Sequence, residues 1–223
     1  MRAVIFDLDQ TLYPEADYVK SGFRAVAQFL ARRLGGEAAA LEAELLALLQ
    51  RDGRGKVFNA VLVAHRWRGR ISAETLLHVY RTHQPELRLH ADATALLARL
   101  AGCRLGVVTD GHPTAQARKL AALHLVERCE AIVCTGDLGP QAAKPAAVGF
   151  RVCLERLGVE ARLATYVGDD LAKDFAAPRA LGMRTVRVVR AIEAGFGWTT
   201  GGRDVEAEVV VQDLREAEAY LTQ

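Results

Sequence analysis

Residues 3–11 read Ala-Val-Ile-Phe-Asp-Leu-Asp-Gln-Thr, and this stretch decides the fold. The nearly continuous apolar run at 3–8 is typical of a central parallel strand that is covered on both faces. Two aspartates, Asp7 and Asp9, stand where that strand runs out. The chain therefore opens with a buried strand that carries carboxylates to one edge of a sheet.

The segment that follows has the periodicity of helices. Between Asp17, a candidate N-cap, and Gly35, a candidate stop, apolar residues recur at helical spacing. The leucines at 41–49 repeat the pattern, and further helices are predicted near 56–67 and 73–82. Between residues 10 and 100 the sequence offers no good strand. We therefore expect an all-helical cap domain at 14–88, inserted into a core domain.

After His90 the sequence alternates between strand and helix patterns. Strands are predicted at 104–108, 131–134, 163–167, 184–189 and 208–211. Helices are predicted at 92–100, at 113–123 and at the C-terminus. A further helix is predicted to begin at Pro145, a residue favoured in the first turn, and to end near Gly158. This alternation predicts an α/β fold with a doubly wound parallel sheet, in a core domain formed by 1–13 and 89–223. The glycine-rich segment 195–202 predicts a surface loop.

The composition excludes several other classes of protein. The 223 residues are 51% apolar and 25% charged, with a formal net charge of only +2, so we expect neither a nucleic-acid partner nor a membrane partner. The N-terminus has no leader pattern, which predicts a cytoplasmic protein. The four cysteines form no CxxC pair, so free thiols are expected in place of disulfides or zinc.

The residues at the predicted strand ends carry the candidate chemistry. In an open parallel sheet, ligands bind beyond the carboxyl ends of the strands. Four elements stand there: Asp7 to Thr11, then Thr109-Asp110-Gly111, Lys144-Pro145, and Asp169-Asp170 with Asp174. Clustered carboxylates repel one another unless a cation lies among them, and oxygen ligands favour Mg²⁺. The lysine and the amides of the glycine turn suit a phosphate.

These four elements, in this order, resemble the haloacid dehalogenase (HAD) superfamily, in its phosphatase branch with a C1-type helical cap. The resemblance spans residues 3–11 and about 90–190. It implies that Asp7 attacks phosphorus and binds Mg²⁺, and that Asp9 acts as general acid and base while its backbone carbonyl binds the metal. It also implies that Thr109, Asp110 and Gly111 hold the phosphoryl oxygens and that Lys144 neutralises charge. On the same resemblance, Asp169 would complete the metal site, and Thr11, Asp170 and Asp174 would orient these groups.

One departure from the usual pattern concerns the turn after the second predicted strand. Many relatives have asparagine where Asp110 stands, so its side chain is expected to point away from phosphate or to cap the next helix. Tyr13 is a further candidate for the leaving-group side of the site.

The function expected from this resemblance is Mg²⁺-dependent hydrolysis of a small phosphate monoester by a monomer or homodimer. The substrate could be a nucleotide, a flavin nucleotide or a sugar phosphate; the opening Asp-Leu-Asp-x-Thr-Leu-Tyr-Pro is similar to that of some pyrimidine nucleotide and flavin mononucleotide phosphatases. Asp9 favours a phosphate ester over a carbon–halogen bond, because a leaving halide needs no proton. Phosphonate hydrolysis of the family type needs a cap lysine that forms a Schiff base, and the predicted cap contains only two lysines, Lys20 and Lys56. A phosphomutase or a non-catalytic binding module remain alternatives.

Overall fold

A computed structural model describes residues 2–100, 102–191, 196 and 205–222. These residues divide into two compact units. The α/β unit comprises the described residues of 2–14, 87–191 and 205–222, and the helical unit comprises 15–86 and residue 196. The predicted domain boundaries, after residues 13 and 88, lie within two residues of this division. Most of the predicted loop at 195–202 falls outside the described residues.

The α/β unit is built on one parallel sheet. Its strands are β1 (Ala3–Phe6), β2 (Arg104–Thr109), β3 (Ala131–Cys134), β4 (Ala164–Gly168), β5 (Arg184–Val188) and β6 (Val209–Val211), in the spatial order β3-β2-β1-β4-β5-β6. Every neighbouring pair is parallel. The order reverses on either side of β1, which makes the carboxyl ends of β1 and β4 the expected ligand site. The predicted doubly wound sheet is confirmed.

The helical unit contains α1 (Glu15–Leu34), α2 (Ala38–Asp52), α3 (Val57–Ala64) and α4 (Ala73–Thr82). Glu37 caps α2 by accepting hydrogen bonds from the amides of Ala39 and Ala40. Leucine, valine and phenylalanine side chains fill the interior of this unit. The helices of the α/β unit are α5 (Ala91–Arg99), α6 (Pro113–Ala122), α7 (Val148–Leu157), α8 (Ala176–Ala180) and α9 (Glu218–Thr222). Among the described helices, none has the length and apolarity needed to cross a bilayer.

Several predicted element boundaries differ from the structure, among them the end of α3, which lies at Ala64 and not near residue 67. The first strand ends at Phe6, two residues earlier than predicted, and the chain enters a turn at Gln10. The first helix begins at Glu15, so Asp17 lies in its first turn and is not its N-cap. The helix predicted to open with Pro145 begins at Val148, because the backbone amide of Lys144 bonds to Asp110 and residues 143–146 form a separate turn.

The core of the α/β unit holds the strand ends in place. Ile5, Val108 and Val133 come from three adjacent strands and pack with Phe150 of α7 and with Tyr166 of β4 in one buried cluster. Close packing of this kind resists movement of the backbone, so the residues that follow each strand have fixed positions. The sheet therefore serves as a rigid base for the site at its carboxyl edge.

Candidate active site

Asp7 is the first residue after β1 and is only 3% exposed. Its backbone amide continues the sheet by donating to the carbonyl of Val167 at 2.8 Å. Its carboxylate oxygen Oδ1 accepts a hydrogen bond from Lys144 Nζ at 2.6 Å. Burial raises the pKa of Asp7 to about 6, and the nearby Lys144 ammonium only partly offsets this effect. The end of β1 thus presents a carboxylate whose pKa depends on the balance between its burial and the adjacent Lys144 ammonium.

Lys144 joins three side chains from separate segments. Its ammonium lies 2.6 Å from Asp7, 2.7 Å from Asp174 Oδ1 and 3.0 Å from the hydroxyl of Tyr166, and its side chain is fully buried. Burial alone lowers a lysine pKa, but the charges of Asp174 and Asp7 outweigh it and hold the pKa of Lys144 well above its usual value. The buried cation is therefore permanent at neutral pH.

Asp174 has both carboxylate oxygens occupied. Oδ1 accepts from Lys144 and from the hydroxyl of Tyr166 at 3.1 Å, and Oδ2 accepts from the backbone amides of Asp169 at 3.1 Å and Asp170 at 2.9 Å. The carboxylate lies so close to Gly168 that a Cβ there would stand 2.5 Å from Oδ2, so only glycine fits at that position. Asp174 consequently anchors Lys144 and the turn after β4.

The arrangement of carboxylates fits a divalent cation. Oxygens of Asp7, Asp169 and Asp174 lie within 4.8 Å of one another. Burial, together with the charges of Asp174 and Asp7, raises the pKa of Asp169 well above its usual value, so ionising Asp169 costs free energy that a nearby cation would offset. Both oxygens of Asp174 already accept two hydrogen bonds each, so the carboxylates with lone pairs available for a metal ion are those of Asp7 and Asp169. Oxygen ligands of this kind suit a hard ion.

The hydroxyl of Thr11 lies in the same group of side chains. It donates to Asp169 Oδ1 at 3.0 Å, and its own side chain is buried. The Asp170 carboxylate faces elsewhere, since it accepts from the amide of Ala172 at 2.9 Å and lies 3.6 Å from Lys173 Nζ. Of the three residues predicted to orient these groups, Thr11 contacts the Asp169 carboxylate and Asp174 contacts Lys144 and the Asp169 backbone amide, whereas the Asp170 carboxylate bonds to the amide of Ala172.

The Asp9 carboxylate belongs to a second cluster. It accepts from Lys119 Nζ at 2.7 Å, from Gln116 Nε2 at 2.9 Å and from the hydroxyl of Tyr13. Burial raises the pKa of Asp9, but the Lys119 charge and these three hydrogen bonds outweigh it, and the net effect lowers that pKa. Asp9 is therefore held as an anion, apart from the carboxylates that lie around Lys144.

The turn after β2 carries the predicted phosphate-binding residues. The Thr109 hydroxyl accepts from Gln116 Nε2 at 2.6 Å. The Asp110 carboxylate accepts from the Thr135 hydroxyl at 2.6 Å and from the backbone amide of Lys144 at 3.1 Å. Asp110 is thereby committed to fastening the Lys144 segment and does not cap α6, whose N-cap residue is His112. Gly111 has a φ of 127°, a conformation that favours glycine.

The structure thus groups seven of the predicted residues in two networks, leaves Asp110, Gly111 and Asp170 outside both, and adds three residues that the sequence did not indicate. Asp7, Thr11, Lys144, Asp169 and Asp174 form the first network; Asp9 and Thr109 form the second. The added residues are Tyr166, Gln116 and Lys119. Tyr166 looked like an ordinary core residue of β4, and a buried lysine on α6 has no local sequence signal, because the partner of Lys119 lies far away in the chain.

A family model described as haloacid dehalogenase-like hydrolase matches residues 1–182. The glyceraldehyde 3-phosphate phosphatase of Methanocaldococcus jannaschii is 27% identical over 85% of this chain and 86% of its own length. The ribulose-1,5-bisphosphate 5-phosphatase of Halopiger xanaduensis is 30% identical over 82% and 83%. The crystal structure of a HAD phosphatase from Thermococcus onnurineus superposes with a TM-score of 0.62, at 26% identity over 99% of this chain and 98% of that one. The predicted family and enzyme class, a HAD-type phosphoric monoester hydrolase, are confirmed.

Proposed function

Because the chain belongs to the haloacid dehalogenase-like hydrolase family, we propose that it hydrolyses a small phosphate monoester through a phosphoryl group carried on Asp7. The observation that carries this proposal is the buried Lys144 ammonium, 2.6 Å from Asp7 and 2.7 Å from Asp174. A fixed cation beside a carboxylate attracts the phosphoryl oxygens and aligns phosphorus with Asp7. The relatives that are named as phosphatases support the same class of reaction.

In the first half of the reaction, an oxygen of Asp7 attacks phosphorus and the bond to the leaving alcohol breaks. Lys144 offsets the charge on Asp7 and on the transferring group, while Thr109 and the backbone amides of Asp110 and Gly111 hold the phosphoryl oxygens. Phosphoryl transfer depends mainly on such positioning and charge neutralisation. Asp7, Asp169 and the backbone carbonyl of Asp9 would hold Mg²⁺, which would supply the remaining positive charge when bound.

Asp9 is proposed to protonate the leaving oxygen and then to activate the water that hydrolyses the phosphoryl-aspartate. In this structure its carboxylate is bonded to Lys119, Gln116 and Tyr13. Because these partners keep Asp9 ionised, Asp9 must exchange some of them for substrate and take up a proton from solvent before it can protonate the leaving oxygen; the proton that it later removes from water restores its acid form. We propose that Lys119 holds the resting position of Asp9.

A small sugar phosphate is the substrate class that we favour among those expected from the sequence. The two relatives described above are named for phosphates of three-carbon and five-carbon sugars, and each match covers more than four fifths of both chains. We further propose that the helical segment 14–88 serves as the cap that the family resemblance implies. Its all-helical structure agrees with a C1-type cap.

A phosphate-release screen tests this proposal. Purified protein is incubated with glyceraldehyde 3-phosphate, ribulose 1,5-bisphosphate, phosphoglycolate, mononucleotides and flavin mononucleotide, with Mg²⁺ or with EDTA. We expect release from at least one sugar phosphate, only with metal, and loss of at least about 10³-fold in Asp7→Asn.

The matched control is Asp137→Asn, which removes an exposed carboxylate in the turn after β3. It should leave the rate within about twofold of wild type. Release of phosphate by Asp7→Asn at a near-normal rate, or conversion to an isomeric sugar phosphate without release, would rule out the proposed reaction.

A further inference from the structure

A buried arginine contacts the backbone of the loop that carries the two catalytic aspartates, residues 7–13, here called the catalytic loop. Arg190 lies just after β5, and its side chain is 10% exposed. One terminal nitrogen donates to the carbonyl oxygen of Thr11 at 2.9 Å, and the other donates to Asp92 Oδ2 at 2.6 Å. A guanidinium can serve both acceptors at once because its donors project in a rigid plane.

Asp92, on α5, fixes the direction of that guanidinium. Its Oδ2 also accepts from the backbone amide of Leu214 at 2.8 Å, and its Oδ1 accepts from the amide of Ala93 at 2.8 Å. Its side chain is 7% exposed. Three elements, namely α5, the end of β5 and the segment before α9, therefore meet at one ion pair that ends on the catalytic loop.

The contacted part of the loop has a conformation that needs external support. Gln10, between Asp9 and Thr11, has a φ of 61°, a left-handed conformation that non-glycine residues rarely adopt. Such strain persists only where surrounding contacts enforce it. Beside it, the carbonyl of Leu12 accepts from the backbone amide of His90 at 2.9 Å, and the side-chain amide of Gln10 donates to the carbonyl of Ala191 at 3.4 Å.

The loop position matters because the Thr11 hydroxyl donates to Asp169 at 3.0 Å. A shift of the Thr11 backbone would displace that hydroxyl. Because the hydroxyl is hydrogen-bonded to Asp169, the distance between the Asp169 and Asp7 carboxylates would change as well. A displacement of about 1 Å at a reacting group lowers turnover by roughly 100-fold.

We propose that Arg190 and Asp92 are positioning residues that hold the catalytic loop, through Thr11, in the geometry that phosphoryl transfer and metal binding require. This inference rests on the proposed function. Arg190 acts through the backbone carbonyl of Thr11, and Asp92 acts through Arg190.

The test separates positioning from stability with a pair of variants. In Arg190→Ala the Asp92 carboxylate loses its cation, so the protein loses both stability and loop support. In Arg190→Ala/Asp92→Asn the buried charge is also removed, which restores melting temperature toward wild type but leaves the Thr11 carbonyl without its donor. We expect kcat to remain reduced by about 10- to 100-fold in both variants, with a smaller change in KM.

A second readout uses metal alone and needs no turnover. Free Mn²⁺ is measured by electron paramagnetic resonance during titration of wild type, the double variant and Asp169→Ala. We expect Mn²⁺ binding weakened several-fold in the double variant and abolished in Asp169→Ala. The control is Arg187→Ala, which removes an arginine of β5 whose partner is Glu206, at 3.1 Å, and should change neither kcat nor Mn²⁺ affinity.

Arg190→Lys supplies a conservative comparison. An ammonium keeps the charge beside Asp92 but lacks the planar fork, so we expect near-normal stability with kcat still below wild type. Full recovery of kcat in the stabilised double variant, with wild-type Mn²⁺ affinity, would overturn the proposal and leave a purely structural role. If wild type binds Mn²⁺ but releases no phosphate from any substrate, the proposed function fails, while the Mn²⁺ titration still decides the role of Arg190.

Discussion

The two units of this protein differ in the number of polar side chains that they bury. Among the described residues, twelve polar or charged side chains are buried, and eleven of them belong to the α/β unit. The single one in the helical unit is His83, whose ring nitrogens bond to the hydroxyl of Ser21 at 2.7 Å and the carbonyl of Tyr80 at 2.6 Å. The helical unit is otherwise filled with apolar side chains.

This difference suggests that the buried polar residues of the α/β unit serve the reaction, whereas the apolar interior of the helical unit serves folding. Burying a charge costs free energy unless it is paired, and a fold does not need such groups at its centre. The α/β unit nevertheless buries Asp7, Lys144 and Asp174 at one sheet edge, where ligands bind in such folds. Substitutions there should affect turnover above all, and substitutions inside the helical unit should affect folding above all.

Lys144→Met gives the largest expected effect. The variant leaves Asp7 and Asp174 buried without their cation, so the rate of phosphate release should fall by about 10³-fold and the free energy of unfolding by about 3–5 kcal/mol. Phosphate-release kinetics and urea unfolding measure the two quantities. The control, Lys56→Met, alters an exposed lysine of the helical unit. Loss of activity in that control, with normal activity in Lys144→Met, would invert the comparison and point to the phosphonate alternative.

Asp169→Asn should have the next largest effect on activity. Whether this substitution raises or lowers the free energy of unfolding depends on the presence of metal. We expect activity to fall by at least roughly 100-fold, since a candidate metal ligand is lost. Without metal, the variant should be more stable than wild type at neutral pH by on the order of 1 kcal/mol, because like-charge repulsion is relieved. With Mg²⁺, wild type should regain the advantage through binding.

The pH dependence of that stability follows from the raised pKa of Asp169. A carboxyl with a raised pKa binds its proton more tightly in the folded state, so metal-free wild type loses stability as pH rises from the unfolded pKa near 3.8 toward the folded pKa. Asp169→Asn should show a flatter profile. Thermal unfolding in EDTA across this range measures it, and identical slopes in both proteins would contradict the account.

Lys119→Met tests the second cluster of the α/β unit and should have a smaller effect. The lowered pKa of Asp9 contributes stability above the unfolded pKa of 3.8, and that contribution is lost as pH falls through the folded pKa. Removal of Lys119 should therefore destabilise the protein by about 1–3 kcal/mol at pH 7, and by progressively less as pH falls below 3.8 through the folded pKa. Chemical unfolding across this range measures the difference; an equal loss at every pH would show that Lys119 does not hold Asp9 ionised.

Leu45→Ala, in the interior of α2, should have the smallest effect on catalysis. Leu45 is fully buried, so the free energy of unfolding should fall by about 2–5 kcal/mol. Turnover per folded molecule should stay within about twofold of wild type. Val63→Ala, at a side chain that is 48% exposed, is the matched control and should change neither quantity measurably.

Much of the fold could be predicted because its signals are local. Apolar runs, helical periodicity and the glycines at helix ends indicated the elements of both units, and strand ends indicated Asp7, Asp169 and Lys144. The start of α7 was wrong because a hydrogen bond from the Lys144 amide to Asp110, 34 residues earlier, competes with the helix. Tyr166 was missed for a similar reason, since its role comes from partners that only the folded chain brings near.

The covalent step on Asp7 is the central claim, and mass spectrometry of rapidly quenched protein tests it most directly. Wild type, Asp9→Asn and Asp7→Asn are mixed with Mg²⁺ and the best substrate, quenched in acid and digested. We predict that the peptide containing Asp7 gains the mass of one phosphoryl group in wild type and accumulates it in Asp9→Asn, and that Asp7→Asn shows none. Normal phosphate release with no phosphorylated Asp7 peptide in any sample would contradict the account.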